Sequence, residues 1–172
     1  MSGGRVLGAM APALLASCAA AGTAPSPPEW EAIAFEVNSW GRPVVAWTVR
    51  ADGSGEWAET VGERDAPVGP FRVEHHTIAA GSTGFRELAA VLAELPDPAP
   101  ASDDCELFAT DMPYGTLRLT RAATTREIAF NEGCRDPAYR AFIATLKRAD
   151  ALVESWGKAA PVSRSEEFPR GR

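Results

Sequence analysis

Apolar and polar residues alternate between positions 33 and 38, with Ile33, Phe35 and Val37 in one phase and Ala34, Glu36 and Asn38 in the other. A period of two is that of a strand with one buried face. Trp40-Gly41-Arg42-Pro43 interrupts it, and a second strand is expected over 44–50 with Val45, Trp47 and Val49 in phase. Asp52-Gly53-Ser54-Gly55 then supplies glycines for the positive φ of a tight reversal, so a third strand over 56–61 should pair back onto the second. After a loop with Pro67, Gly69 and Pro70, a fourth strand is expected over 71–79.

The period then changes. Phe85, Leu88, Ala89, Leu92 and Leu95 recur at helical spacing, with Ser82 or Thr83 as the expected cap, Glu87 towards the positive end and Pro96 as the stop. Leu117, Leu119, Ile128 and Phe130 fit a hairpin turning at 121–124. Asp136-Pro137 predicts an N-cap and first helical residue. The helix it opens is expected to run to about Trp156, with Tyr139, Phe142, Ile143, Leu146, Val153 and Trp156 as its apolar stripe. Residues 157–172 are polar and charged and are expected to be a disordered tail. This order predicts one α+β domain over 31–156: an antiparallel sheet of hairpins with two helices packed on one face, a two-layer sandwich.

Ahead of the domain, Arg5 precedes an apolar run of 11 residues, 6–16, too short for the roughly 20 residues a membrane-spanning helix needs. A charged start and a short apolar run are those of a signal peptide. Leu15-Ala16-Ser17-Cys18 follows at once and resembles the lipobox of bacterial lipoproteins. The resemblance implies a signal peptide over 1–17, cleavage before Cys18, and lipid on Cys18 as the chain's link to a membrane. Several acyl chains on one residue make such an anchor permanent in practice. Ala19, where an Asp would signal inner-membrane retention, implies an outer-membrane lipoprotein facing the periplasm. Small residues and three prolines in 19–28 make 18–30 a tether. The order of elements also resembles an uncharacterised domain family of exported bacterial proteins, over about 33–156, which brings no active site with it.

Composition narrows the partners. The chain has 172 residues and a net charge of −6. Without 1–17 it loses only Arg5 among charged residues and falls to about −7. An acidic chain with no basic tract argues against nucleic acid. Of three cysteines, acylation of Cys18 leaves Cys105 and Cys134 with a single intramolecular pairing, so a disulfide between them is expected in an oxidising compartment.

Candidate chemistry is sparse. Ala80-Gly81-Ser82-Thr83-Gly84 lies between strand and helix as a nucleophile elbow does, but both histidines precede the serine and no parallel sheet is expected. Ser155-x-x-Lys158 ends a helix where a penicillin-binding serine would begin one. His75 and His76 are neighbours on one strand, so they face opposite ways and cannot share a metal; surface or cross-strand polar contacts are expected. Asp103, Asp104 and Glu106 read as a solvated acidic loop. Trp40 and Arg42 in one loop, and Asp111 and Tyr114 in another, combine aromatic, polar and rigid residues as binding surfaces do. The expectation is a non-enzymatic envelope lipoprotein, without metal or cofactor, that binds another envelope protein or a cell-wall component. The alternative is a small hydrolase with His75 or His76 and Asp111 in a loop-built site.

Overall fold

In the computed structural model, which describes residues 30–62 and 69–169, seven strands form one open antiparallel sheet covered by two helices. The strands are β1 (Ala32–Ser39), β2 (Arg42–Arg50), β3 (Ser54–Val61), β4 (Phe71–Ala79), β5 (Tyr114–Arg121), β6 (Thr124–Asn131) and β7 (Val162–Phe168). The helices are α1 (Gly81–Leu92), between β4 and β5, and α2 (Pro137–Ala159), between β6 and β7. Strand order is β6-β5-β1-β2-β3-β4-β7: the first four strands meander, the β5–β6 hairpin adds beside β1, and β7 adds beside β4. Cys18 and all of 1–29 lie outside the described residues.

Register explains the layering. Leu117, Phe35, Trp47, Trp57 and His76 form one row across five strands, and Leu119, Ile33, Val49, Gly55 and Ile78 form the next of the same phase. These rows meet the buried stripe of α1 (Phe85, Leu88, Leu92) and that of α2 (Tyr139, Phe142, Leu146, Ala149, Val153). Phe35 stacks between Trp47 and Phe130, with centroids 5.2 and 5.3 Å away. The opposite phase carries Glu36, Arg118 and Glu127, tied by ion pairs, so alternation on each strand separates core from the open face.

Two junctions depend on glycine. A Cβ on Gly53 would overlap the backbone of Gly81, and the Ala80 N–H donates to the Gly53 carbonyl, so the β2–β3 turn abuts the start of α1. This contact also corrects the expected cap. Ala80 is the N-cap, without a side-chain bond, and Ser82 and Thr83 lie inside the first turn. Helix geometry begins where the Gly53 contact fixes the chain, ahead of both hydroxyls. Likewise α1 ends at Leu92, before Pro96 could stop it. The second junction is Gly157, whose missing side chain lets α2 lie flat on the ring of Trp57. Gly157→Ala is expected to destabilise the domain by about 1–2 kcal/mol, since overpacking of about 1–3 outweighs a helix-propensity gain of about 1. Chemical denaturation checks this; an unchanged midpoint would mean the ring yields freely.

The expected disordered tail is replaced by structure. Residues 157–159 complete α2, and Val162–Phe168 pairs antiparallel with β4 through six residue pairs. Backbone hydrogen bonds at a sheet edge ask for no apolar period, and the stack of Phe168 on Phe71 (4.7 Å between centroids) with the pairing of Arg72 and Glu167 secures the strand. Asp136 does sit at the N-cap of α2 with Pro137 after it, yet its carboxylate makes no cap bond. It accepts instead from the backbone N–H groups of Glu106 and Leu107 at 3.0 and 3.1 Å.

Candidate functional site

The chain enters the sheet at Trp30 and Ala32, and β1 runs from there to Ser39, about 25 Å away. Antiparallel register places at the far end of β1 the β1–β2 turn, the start of β5 and the end of β6, because Asn38 pairs with Tyr114 and Tyr114 with Asn131. This brings Trp40 and Tyr114, 74 positions apart in the chain, to one end of the sheet. Trp40, at positive φ in the turn, is 63% exposed, and Tyr114 is 42% exposed. Val44 is exposed beside the β1–β2 bulge, and Leu107 and Phe108 lie on the loop that precedes β5. With Phe168, which pairs with Phe71 at the start of β4, six of the seven large apolar side chains exposed among the described residues lie toward this end of the sheet.

Arg42 is otherwise engaged: its guanidinium donates to the Gly69 carbonyl and lies 4.9 Å over the ring of Phe71. Asp111 holds a positive φ of 63° in the loop leading to Tyr114. Of the four expected loop residues, Trp40, Asp111 and Tyr114 serve this end directly and Arg42 braces it.

The loop before β5 is fastened twice. Cys105 and Cys134 form the disulfide, with Cα atoms 5.7 Å apart, and Asp136 binds the backbone beside it. Phe108 bridges to Cys134, and Ala109 N–H donates to the Gly133 carbonyl. Cys105, Cys134 and Asp136 are close enough to suggest a metal ligand set, but both sulfurs are committed to the disulfide and offer no thiolate.

Beside this junction is a cleft of about 240 Å3, lined by Met112, Glu132, Cys134, Arg135, Arg140, Ile143, Ala144 and Lys147. Its helical wall is one stripe of α2: Arg140, Ile143, Ala144 and Lys147 at i, i+3, i+4 and i+7. Glu132 and Lys147 pair at 2.6 Å. One turn further, Asp150 accepts the Trp47 indole N–H at 2.9 Å, and burial, offset by that bond, raises its pKa to about 6. The cleft residues were not anticipated. A cationic stripe running beside the apolar one on α2 was the available signal.

The histidines lie elsewhere. His75 is on the open face, between Glu56 on β3 and Arg164 and Glu166 on β7, which is the expected kind of cross-strand contact. Its Nδ1 can donate to Glu56 at 2.9 Å or accept from Arg164 at 3.0 Å, one at a time. His76 is on the core face and is 7% exposed, so it is no surface residue. It packs on Trp57, and its Nδ1 lies 2.9 Å from the Ala160 carbonyl, which can only accept, so Nδ1 carries a proton. Asp111 precedes β5, four strand positions from β4 and thus about 19 Å across the sheet, so neither histidine joins it in a site.

No protein-family model, curated protein or solved structure matches this chain.

Proposed function

We propose that the chain is a lipid-anchored envelope lipoprotein whose domain is a non-enzymatic binding module held out from the outer membrane into the periplasm. The observation that supports this is the polarity of the domain. The segment from Cys18 enters at the Ala32 end of β1, and the exposed apolar residues and the cleft gather at the Ser39 end. A tether at one end and a contact surface at the other suit a module that reaches a partner, another envelope protein or a cell-wall component, across an aqueous gap. Aromatics on braced loops provide contact area at little cost in side-chain entropy.

Two measurements test the reading. A palmitate analogue should label the wild type and not Cys18→Ala, and gradient-separated membranes should hold the labelled protein in the outer-membrane fraction. In those membranes, a photo-crosslinking residue at position 40 or 114 should capture a partner that one at position 122, at the tether end, does not. Label retained by Cys18→Ala would remove the anchor, and equal capture from both ends would remove the polarity.

A further inference from the structure

We propose that the cleft between residues 132–135 and the first half of α2 binds the oxyanion end, carboxylate or phosphate, of a larger ligand, with Arg135 and Arg140 as the residues that hold it. This goes beyond the binding module argued above and does not depend on how the chain is anchored.

Charge is the first ground. Lys147 and Glu132 neutralise each other across the cleft, so among its lining residues Arg135 and Arg140 supply a surplus of two positive charges. One carboxylate lies nearby, Asp136, and it is engaged by the backbone N–H groups of Glu106 and Leu107. Among the described residues neither guanidinium forms a salt bridge; Arg135 reaches only the Met112 sulfur, at 3.7 Å. Five other arginines are matched with carboxylates, among them Arg118 with Glu36 and Glu127, Arg126 with Asp97, and Arg148 with Glu94; what sets Arg135 and Arg140 apart is that both line one cleft. Two arginines without a carboxylate partner on the lining of one cleft are a cationic pair that an oxyanion seated in it would neutralise. On a protein of net charge −6, such a cleft is also a local focus for anions that the rest of the surface repels.

Shape is the second ground. Ile143, Ala144 and Met112 place apolar surface beside the cations, which suits an alkyl group next to the charged terminus. About 240 Å3 is below the roughly 300–1,000 Å3 of sites that enclose a whole small molecule, so the cleft takes an end and leaves the remainder outside. Rigidity is the third. One wall is a helix stripe, and the other is the segment pinned by the disulfide at Cys134, so the backbone that carries the two arginines is fixed before a ligand arrives.

The test is titration of the full chain in neutral detergent, followed by amide NMR, with propionate, ethyl phosphate and the uncharged propionamide as probes. Propionate or ethyl phosphate should shift Met112, Glu132, Arg135, Arg140 and Lys147 in a saturable way, and propionamide should not. Preference between the two anions identifies the ligand terminus as an acid or a phosphate. Arg135→Gln and Arg140→Gln should each weaken binding about tenfold, the worth of one charge-assisted hydrogen bond. Glu132→Gln, which releases Lys147, should tighten it, and Arg118→Gln on the open face should leave it unchanged. Absence of saturable shifts with either anion, equal shifts from sodium chloride, or wild-type affinity in both arginine variants would overturn the proposal.

Discussion

Replacing Cys105 and Cys134 together by serine is expected to destabilise the domain by about 3–4 kcal/mol, the chain-entropy value for a loop closed across a separation of 29 residues. Typical domains hold about 5–15 kcal/mol in total, so the loss is a large fraction. For a domain of this size it corresponds to a fall in Tm of roughly 10–15 °C. The bridge links the loop before β5 to the segment that starts α2, and thereby closes the β5–β6 hairpin into a ring. Asp136 makes two further bonds at the same junction. Melting with and without reductant, and of the double serine variant, checks the value. A loss below about 1 kcal/mol would mean that Asp136 and the hairpin hold the loop without the bridge.

Asp150→Asn should raise stability at neutral pH and leave it nearly unchanged below about pH 4. The folded-state pKa of Asp150 is raised from 3.8 to about 6, chiefly by burial under α2. Between these values the folded protein binds a proton that the unfolded chain does not, so stability is fully present below about pH 4 and declines as pH rises through 6. At about 1.4 kcal/mol per pKa unit the decline approaches 2–3 kcal/mol by pH 7.5. Asparagine keeps an oxygen acceptor for the Trp47 indole and carries no charge to bury. Wild type and variant should therefore differ by several degrees in Tm at pH 7.5 and converge below about pH 4. An equal difference at both pH values would assign the effect to packing and refute the buried charge as its cause.

How much of this was legible in the sequence depends on which interactions dictate each element. β1 to β6 and α2 were readable because one face of each is buried, and burial imposes a period: Ile33, Phe35 and Val37 on one strand, Tyr139, Phe142 and Leu146 on the helix. A turn was readable from its own chemistry at Asp52-Gly53, whereas Arg121-Ala-Ala-Thr124 was legible only as the gap between two strands. β7 was not, because Val162-Ser-Arg-Ser-Glu-Glu-Phe168 has no apolar alternation; its side chains are mostly exposed, and what recruits it is the open edge of β4 together with ionic contacts around His75. The cap of α1 was misread because a contact from residue 53 outweighs local hydroxyl chemistry.

The site was legible as composition but not as placement. Trp40 and Tyr114 stand out as aromatics in loops, yet only the pairing of Asn38 with Tyr114 brings those loops together. Arg135 and Arg140 gain significance from what is absent around them, which a linear sequence does not display. Similarly, Asp150 follows Ala149 of the core stripe by a single residue, and whether it was exposed or trapped depended on where Trp47 lies.

The position of β7 at the end of the chain has a consequence for how the molecule is made. Synthesis delivers β1 to β4 first, but their buried face waits for α2, and the outer edge of β4 waits for the last strand. Until α2 has emerged the row of aromatics is uncovered, and until roughly residue 168 the outer edge of β4 is unpaired and open to neighbouring chains. The cover of the sheet and the partner of its β4 edge therefore both arrive late, with α2 and β7.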